Sequence, residues 1–514
     1  MTIHSLWKDA SARHAQLPAV SWVGETPWTY AELDARVKNL SSRWSSQGLK
    51  AGDRVALWSG NHPGWGVVYL AATTSARVIV PILPDFSTAD VLNVVGHSGA
   101  RVLVLGAAQV EAWKAGVAAL PPEKKESLSS LVVELLDDLL ELPATGGSAE
   151  TLPQPEDLAA LIYTSGTTGA SKGVMLTQGN VAGNAAAASS IPGYVPGDKQ
   201  LSVLPLAHTY ECTLGFLIPL REGVHISYLN KPAAPAVLMP ALALVRPHAM
   251  LTVPLFMEKI YRAKVEPSLN HGLLGLLSHV PGLGGLLVKV AGKKLYETFG
   301  GRLKFFGIGG APLAPEVEKF LFRAGFPYAV GYGLTETSPL VAGHLGGRLY
   351  STGRILPGVE VKIQEPLNHE GAGEILVKGP NVMRGYYHDD ARTAEVLSDG
   401  WFRTGDLGSF DTHGHLHIRG RIKNVILGPS GENIYPEAIE AVLNRQEGVL
   451  ESLVLQRGLE LVALVVFEKS HNLEALKAHV NQHLARYSRL SRLEVQVEPF
   501  DKTATLKIKR YLYS

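Results

Sequence analysis

Residues 163–174 read YTSGTTGASKGV, a stretch made almost entirely of hydroxyl-bearing residues, glycines and one lysine. Glycine lets the backbone turn tightly and expose its N–H groups, and the hydroxyls and the ammonium of Lys172 add further donors. Such a loop is suited to binding a polyphosphate. It is not the P-loop of kinases and GTPases, because Gly173 follows Lys172 where that motif carries a magnesium-binding Ser or Thr.

A flexible linker is the alternative interpretation of this loop. The flanking sequence argues against a linker, because residues 161–162 (LI) and 174–176 (VML) are apolar runs typical of buried strands. We therefore predict a phosphate-binding loop between two strands.

Length, charge and cysteine content limit the possible domain number, partners and location of this protein. A chain of 514 residues is too long for one ordinary core, so two or more folding units are expected. Lys plus Arg (48) nearly equals Asp plus Glu (47), which gives no global attraction to nucleic acid. The polar first 16 residues lack the apolar core of a signal peptide, and no apolar run of about 18 residues predicts a membrane span. The single cysteine, Cys212, fits a reducing, cytoplasmic location.

The first half of the chain alternates helical and strand-like segments. Thr29 is predicted to cap a helix over residues 31–47 that ends at Gly48. Apolar runs at 55–58 and 102–105, with a crossover helix over 65–74 between them, indicate buried parallel strands. Similar runs follow at 250–253 and 305–310, and 123–150 is interpreted as a surface helix and linker. The predicted class is α/β, with mixed sheets.

The hydrophobic pattern of the sequence changes near residue 350. Segments 359–363, 374–377 and 415–418 alternate like half-exposed strands, which predicts a small β-rich subdomain over about 345–418. A helix from Pro436 to about 445, a strand over 461–467 and a helix over 473–486 predict a small α+β domain. The proposed division is residues 1–420 for the N-terminal domain and 421–514 for the C-terminal domain.

Further motifs follow the loop in a fixed order. They are GYGLTETSP at 331–339, WFRTGDLG at 401–408, IRGRIKN at 418–424 with GENIYPE at 431–437, and TATLKIKR at 503–510. Together with the loop, this series resembles the adenylate-forming superfamily of acyl-CoA synthetases, luciferases and peptide-synthetase adenylation domains. The resemblance covers nearly the whole chain, and five motifs in the correct order argue strongly against coincidence.

The resemblance implies a two-step reaction. A carboxylate attacks the α-phosphate of ATP to give an acyl-adenylate and pyrophosphate, and a thiol then displaces AMP. Both steps need positioned donors and cations. The co-substrates and cofactor implied are ATP, Mg²⁺ and CoA.

The resemblance also assigns roles residue by residue. The β- and γ-phosphates are expected against Thr164, Ser165, Gly166, Thr167, Thr168, Gly169 and Lys172. The adenine is expected against Tyr332, with Gly333 in the same motif and Gly309, Gly310 and Ala311 on the other side. Thr335 would donate to the α-phosphate, Glu336 would bind Mg²⁺, and Asp406 would accept from the ribose hydroxyls with Arg421 assisting.

Three of these assignments have structural alternatives. Tyr332 could be an aromatic residue of a turn, Asp406 could close a tight turn after Gly405, and Arg421 could be a surface cation.

Lys507 carries the sharpest implied role. In the family the matching lysine contacts the α-phosphate and the attacking carboxylate, whereas lysine-rich tails in general are solvated. Lys509 and Arg510 are interpreted as structural or solvent-facing. The small C-terminal domain is expected to be mobile about Lys423, so that the turn at Gly431 lines the thiol tunnel in the second step.

Two segments favour long-chain fatty acids. LPLAHTYE at 204–211 and VPLFMEKIY at 253–261 resemble the long-chain synthetases, as does Leu506 before Lys507. His208 is the expected gate near the carboxylate, with packing as its alternative. Cys212 and Gly215 are placed beside the acyl pocket, and Cys212 is not expected to be a nucleophile. Ser171 in place of the usual proline, and a short segment before the last motif, leave medium-chain and aromatic acids open.

Residues 273–291 read LLGLLSHVPGLGGLLVKVA. The Pro281-Gly282 pair argues against a continuous spanning helix. Two interpretations stay open: a buried helical pair, which we favour, and a lipid-facing patch that makes a peripheral membrane contact.

The sequence predicts an AMP-forming acyl-CoA synthetase for a medium- to long-chain fatty acid. One alternative hands the acyl group to an acyl carrier protein, and another is luciferase-like oxidation. A third is a catalytically silent nucleotide-binding scaffold. Intact Lys172, Glu336, Asp406 and Lys507 argue against the silent scaffold. No nucleic-acid partner is expected, and the oligomeric state stays open.

Overall fold

The computed structural model describes residues 1–140, 151–164, 172–270, 283–346, 348–364, 372–427, 433–458, 460–468, 471–502 and 508–513. Two compact units divide them. The larger unit holds the described residues within Met1–Thr164, Ser171–Glu360 and Lys378–Gly400, and the smaller unit holds those within Val361–Val377 and Trp401–Ser514.

A seven-stranded sheet of the larger unit carries the candidate phosphate loop. In spatial order its strands are Gly385–Tyr386, Lys172–Thr177, Leu158–Thr164, Val78–Ile82, Arg54–Trp58, Val102–Leu105 and Val132–Leu135. The strands at 54–58 and 102–105 pair in parallel, as predicted from their apolar runs, and both are almost wholly buried. The two strands beside the loop pair antiparallel, so this sheet is mixed.

A second sheet of the larger unit has eight strands. In spatial order they are Leu340–Leu345, Tyr328–Gly333, Phe305–Ile308, Ala249–Thr252, Lys199–Ser202, His225–Tyr228, Pro18–Trp22 and Trp28–Thr29. The six central strands run parallel, and the two outermost pairs are antiparallel. The predicted strands at 250–253 and 305–310 are therefore present, each one or two residues shorter or shifted.

Helices connect and cover these strands. They are Ile3–Arg13, Tyr30–Ser46, Pro63–Thr73, Thr88–Ser98, Val110–Ala118, Pro122–Ser127, Leu136–Leu140, Gln178–Ala188, Ile218–Arg221, Pro235–Val245, Pro254–Ile260, Glu266–Asn270, Leu283–Thr298, Pro315–Ala324 and Asp390–Val396. Two π-helical turns (Glu211–Leu217, Tyr261–Val265), two 3₁₀ turns (Ala107–Gln109, Thr335–Thr337) and a short strand (Leu397–Ser398) complete the unit.

Local capping explains where the first predicted helix begins and ends. The Thr29 hydroxyl accepts from the backbone N–H of Glu32, and the Glu32 carboxylate accepts from the backbone N–H of Thr29 at 2.7 Å. This reciprocal capping box satisfies two N–H groups that the helix cannot. Gly48, with φ of +83°, follows the helix end as predicted.

The interpretation of 123–150 as a surface helix and linker misses a strand. Val132–Leu135 extends the seven-stranded sheet in parallel beside Val102–Leu105. This strand exposes its apolar residues Val132 and Val133 and buries its charged residue Glu134. Glu134 accepts from the indole N–H of Trp44 and from Arg43, each at 3.0 Å, and these partners make its burial tolerable.

The favoured burial of 273–291 holds for one face only of the part that the structure describes. Within the helix Leu283–Thr298, the side chains of Leu286 and Val290 are 58% and 59% exposed. Val288 and Ala291 pack against the core that contains Leu295. The lipid-facing interpretation stays a prediction. Among the described residues, no helix is both long enough and apolar enough to cross a bilayer.

The smaller unit contains the β-rich segment and the C-terminal elements. Its sheet strands are Glu360–Gln364, Gly373–Lys378, Trp401–Phe410 and Leu416–Arg421, followed by a short pair, Ile426–Leu427 and Asn433–Ile434. Helices Pro436–Leu443 and Leu473–Gln482 pack on a three-stranded sheet of Val449–Arg457, Glu460–Phe467 and Arg492–Val495. Three 3₁₀ turns are Ile422–Asn424, Arg486–Ser488 and Arg510–Leu512.

The predicted helix over 473–486 ends four residues early, at Gln482. The boundary at residues 420 and 421 stays a prediction.

Candidate active site

The ends of the candidate phosphate loop lie side by side. Strands Leu158–Thr164 and Lys172–Thr177 pair antiparallel, with Thr164 directly opposite Lys172. This is the predicted arrangement of a loop between two buried strands. The loop residues Ser165, Gly166, Thr167, Thr168 and Gly169 lie outside the described residues.

Lys172 lies over an aromatic ring. Its Nζ is 5.0 Å from the ring centroid of Tyr386, a distance at which an ammonium is attracted to the face of the ring. Tyr386 belongs to the two-residue strand Gly385–Tyr386, which pairs with Lys172–Thr177. The sheet thus holds the lysine and the tyrosine next to each other.

The same tyrosine contacts Glu336. The Tyr386 hydroxyl donates to Glu336 Oε1 at 3.0 Å, and the backbone N–H of Met383 donates to the Glu336 carbonyl at 2.9 Å. Burial, and next the charge of Glu336, raise the pKa of Tyr386, so its hydroxyl stays a neutral donor. One side chain therefore connects the loop lysine with the candidate metal-binding carboxylate. Sequence reasoning missed Tyr386; the signal was an aromatic pair, Tyr386-Tyr387, directly after Gly385.

The 3₁₀ turn Thr335–Thr337 is fixed by hydrogen bonds of its last residue. The Thr337 hydroxyl donates to the Pro339 carbonyl at 2.6 Å and accepts from the backbone N–H of Leu334 at 2.9 Å. The Asn381 side-chain amide donates to the Thr337 carbonyl at 3.1 Å. Thr335 and Glu336 therefore stand on a rigid support, which a preorganised site requires.

Glu336 fits the type of metal ion proposed for it. The described part of the chain contains no group of three or more His, Cys, Asp or Glu residues arranged to hold a metal. Mg²⁺ in phosphoryl-transfer sites is commonly bound by one or two carboxylates together with substrate phosphates, and does not require a protein cage. A single carboxylate that shares its tyrosine neighbour with Lys172 suits that mode of binding.

Tyr332 and Gly333 end the strand Tyr328–Gly333. Tyr332 is largely buried and lies opposite Ala342 in the sheet. Gly333 has a structural reason to be glycine, because a Cβ there would lie 1.8 Å from the backbone oxygen of Pro339. Its assignment to the nucleotide site stays a prediction beside that structural requirement.

Substituting Gly333→Ala is therefore expected to destabilise the larger unit by about 1–3 kcal/mol or more, since a backbone atom must move to admit the methyl group. Thermal unfolding would show a lower midpoint. The matched control is Gly183→Ala in the helix Gln178–Ala188, where nothing lies within 4 Å of the added Cβ. That variant should gain up to about 1 kcal/mol from helix propensity. Equal midpoints for the two variants would contradict the steric argument.

Gly309 and Gly310 follow the strand Phe305–Ile308, and only Gly309 has a side chain packed closely against its backbone. A Cβ on Gly309 would lie 3.1–3.4 Å from ring atoms of Tyr210, whereas nothing lies within 4 Å of one on Gly310. Gly310 has φ of +88°, which disfavours any side chain there, and Ala311 is exposed. Tyr210, the aromatic residue of the segment LPLAHTYE, therefore forms a wall beside the predicted adenine-binding backbone.

His208 precedes this tyrosine by two residues. Its Nδ1 accepts from the backbone N–H of Tyr210 at 3.1 Å, so the neutral ring carries its proton on Nε2. Cys212 lies in the π-helical turn that follows, where burial raises the pKa of its thiol to about 12. A thiol held neutral in this way agrees with the prediction that Cys212 is not a nucleophile.

The ribose-binding candidates lie in the smaller unit. Asp406 is buried on the strand Trp401–Phe410, directly opposite Arg421 in the register, and Arg421 Nε lies 2.8 Å from Asp406 Oδ1. Gly405 has φ of +69°, which is consistent with the alternative that Asp406 closes a tight turn after this glycine. The structure brings the predicted pair together. Lys423 follows, exposed in the 3₁₀ turn Ile422–Asn424.

Two further predicted residues, Lys507 and Gly431, lie outside the described residues. Lys509 and Arg510, interpreted from sequence as structural or solvent-facing, both make contacts within the smaller unit. The Lys509 backbone N–H donates to the Asp501 carbonyl at 2.8 Å, and Arg510 forms an ion pair with Glu440 on the helix Pro436–Leu443. Glu440 also accepts from the backbone N–H of Val454 at 2.7 Å.

Comparison with known sequences gives a family match. The model of the AMP-binding enzyme family matches residues 7–387. Long chain acyl-CoA synthetase 7, peroxisomal, of Arabidopsis thaliana is 31% identical over 466 residues, which is 82% of this chain and 66% of that protein. The chain thus spans just under two thirds of the length of this curated relative.

The names of other relatives include a second long-chain ligase and a feruloyl-CoA synthase. Long-chain-fatty-acid–CoA ligase FadD15 of Mycobacterium bovis is 30% identical over 464 residues, covering 84% of this chain and 75% of that one. Feruloyl-CoA synthase of Amycolatopsis sp is 29% identical over 440 residues, covering 83% of this chain and 80% of that one.

Solved structures share the fold. O-succinylbenzoate coenzyme A synthetase (MenE) from Bacillus subtilis, in complex with ATP and magnesium ion, has a TM-score of 0.80 at 23% identity, covering 98% of each chain. ATP-bound MatB from Rhodopseudomonas palustris has a TM-score of 0.81 at 24% identity, covering 100% of this chain and 98% of that one. These matches confirm the predicted α/β fold with a large N-terminal and a smaller C-terminal domain.

Proposed function

The chain belongs to the AMP-binding enzyme family, the adenylate-forming acid–CoA ligases, and on that premise we propose that it is an AMP-forming acyl-CoA synthetase for medium- to long-chain fatty acids. The family resemblance drawn from the motifs is thereby confirmed. The proposal concerns the substrate, the co-substrates ATP and CoA, the cofactor Mg²⁺ and the roles of individual residues.

The observation that carries the proposal is the contact of Tyr386 with both Lys172 and Glu336. A cation at the end of a hydroxyl-rich loop and a carboxylate contact the same tyrosine. Lys172 and the loop hydroxyls would bind the outer phosphates, and Thr335 would donate to the α-phosphate. Mg²⁺ bound at Glu336 would supply the charge that neutralises the phosphate oxygens. In the smaller unit, Asp406 and Arg421 would orient the ribose.

The chain's own residues would then guide both steps. In the first, the acid's carboxylate oxygen bonds to the α-phosphorus and pyrophosphate leaves, with Lys507 stabilising the developing charge. In the second, the CoA sulfur bonds to the acyl carbon and AMP leaves. We propose that residues 421–514 move about Lys423 between the steps, because one site must exclude water first and admit a thiol later.

Fatty acids are favoured over other acids by two kinds of support. The segments 204–211 and 253–261 resemble long-chain synthetases, and two of the relatives described above carry long-chain names. The feruloyl-CoA synthase keeps an aromatic acid as the competing substrate. The proposed location is the cytoplasm, where a lone buried thiol such as that of Cys212 stays reduced.

The proposal is tested by pyrophosphate release with ATP and Mg²⁺ over acids from acetate to oleate, with ferulate included, each with and without CoA. We expect release to peak at one medium or long chain length and to become multiple-turnover only with CoA. A peak at ferulate would overturn the fatty-acid assignment. Release that CoA does not accelerate would point to a carrier-protein acceptor, and no release with any acid would point to a silent scaffold.

A further inference from the structure

The side chain of Glu211 is fully buried in the larger unit. It opens the π-helical turn Glu211–Leu217, three residues after His208. The Ser202 hydroxyl donates to Oε1 at 2.6 Å, and Oε2 is buried with no hydrogen-bond partner among the described residues. A carboxylate with so little hydrogen bonding in an apolar site is strongly disfavoured as a charge.

The space for this carboxyl group is created by a glycine one turn later. A Cβ on Gly215 would lie 2.5–2.9 Å from the carboxyl atoms of Glu211, so any side chain there would displace the group. The Gly215 carbonyl accepts from the Gln200 side-chain amide at 2.7 Å, and the Tyr194 hydroxyl donates to the same amide group. Gln200 and Ser202 point from one face of the strand Lys199–Ser202. The strand and the turn are therefore fitted to each other around the buried acid.

Among the described residues, burial and the Ser202 hydrogen bond govern the pKa of Glu211, and no cation lowers it. The titratable groups whose pKa the charge of Glu211 raises include Tyr194, Tyr210, Tyr228 and Cys212. Burial raises the pKa of each, so none is charged near neutral pH. Burial likewise raises the pKa of Glu211 to about 8, with the Ser202 hydrogen bond opposing the shift.

Two elements near Glu211 cannot supply a charge to it. The helix Gln178–Ala188 and the strand Ala249–Thr252 contain no titratable side chains. Nearby charged residues have other partners or lie in solvent: Lys199 is exposed, Asp198 pairs with Lys304 at 2.9 Å, and Arg221 pairs with Glu222 at 3.5 Å.

We propose that Glu211 is a positioning residue, held as a neutral carboxylic acid, that keeps the segment between the expected carboxylate gate His208 and the expected acyl-pocket residues Cys212 and Gly215 free of negative charge. This inference rests on the proposed function. Glu211 directly follows Tyr210, whose ring covers Gly309, and the backbone N–H of Cys212 donates to the His208 carbonyl at 2.9 Å. A carboxylate at this place would repel an incoming anionic substrate through a poorly screened interior and would strain the turn that follows His208.

The functional test is the KM for the acid in the adenylation half-reaction without CoA, measured from pH 7 to pH 9. In the wild type the KM should rise about tenfold at pH 9, one unit above the titration point, because only about a tenth of Glu211 is then neutral. The variant E211Q, a neutral isostere, should show no such rise and should keep its pH 7 rate within about threefold. The control variant E222Q should retain the wild-type profile. A rise that persists in E211Q would overturn the positioning role.

The protonation state is tested without any activity. The infrared carbonyl band of a protonated carboxyl, identified by its loss in E211Q, should be present at pH 7 and disappear above about pH 8. Because the folded pKa exceeds the unfolded value of 4.5, the folded state binds one more proton between these values. Stability of the wild type relative to E211Q should therefore fall between pH 5 and 8, about tenfold in the folding constant per pH unit.

Absence of the infrared band at pH 7 would overturn the inference even in an active enzyme. If no acid is activated at all, the proposed function fails, while the infrared and stability data still decide whether Glu211 is neutral.

Discussion

Replacing Lys507 with alanine is expected to slow acyl-adenylate formation by about 10²–10³-fold, the loss typical for removal of one preorganised donor to a developing charge. The physical reason is that negative charge builds on the α-phosphate as the carboxylate attacks, and the Lys507 ammonium is the cation proposed to contact both groups. The measurement is single-turnover pyrophosphate release. The second half-reaction, started from synthetic acyl-adenylate and CoA, should keep its rate within a few fold.

The matched control is Lys509→Ala. Lys509 lies two residues further on and its backbone N–H is bonded to the Asp501 carbonyl, so it shares the local charge and tail but not the proposed role. This variant should adenylate normally. Equal losses in both variants would show that the tail acts through general charge or folding, and a normal rate in K507A would contradict the role of Lys507 outright.

The variant Glu336→Gln is expected to lose about 10²-fold or more in pyrophosphate release, because the metal would lose its only carboxylate proposed from this chain. The amide oxygen can still accept from the Tyr386 hydroxyl, so the turn should keep its structure. The measurement is the rate as a function of Mg²⁺ concentration, where the variant should need far more Mg²⁺ for half-maximal activity.

Tyr386→Phe separates charge from positioning. It removes the hydroxyl that donates to the Glu336 carboxylate and keeps the ring over Lys172, so we expect a loss of about 10- to 10²-fold, the order of one hydrogen bond to a charged group. The Mg²⁺ requirement should change little. A loss in Y386F as large as that in E336Q, with wild-type Mg²⁺ dependence in both, would mean that Glu336 supports the site mechanically and binds no metal.

Elements whose pattern reports burial directly could be predicted from the sequence. Residues 55–58 and 102–105 are buried on both faces, so an unbroken apolar run is what a central parallel strand requires. The helix that begins after Thr29 could also be predicted, because Thr29 and Glu32 form their capping box within four residues of sequence. The strands could be predicted because their surroundings are uniformly apolar. The helix start could be predicted because the residues that cap it are adjacent in sequence.

Elements stabilised by distant partners could not be predicted in this way. The strand Val132–Leu135 buries its one charged residue and exposes two valines, because Trp44 and Arg43, some ninety residues earlier, satisfy Glu134. Tyr386 likewise acquires its place between Lys172 and Glu336 from a two-residue strand joined to the loop hairpin across the sheet. Motifs located the candidate site, and tertiary contacts supplied the side chain that connects two of its charged groups.

The central claim is that this chain activates a fatty carboxylate by forming an acyl-adenylate. The most direct measurement is the fate of ¹⁸O when a preferred acid labelled in both carboxyl oxygens reacts with ATP and CoA. If a carboxylate oxygen attacks the α-phosphorus and the acyl carbon–oxygen bond then breaks, AMP must carry one ¹⁸O for each turnover. Label found in inorganic phosphate, or in no phosphate-containing product, would contradict the account.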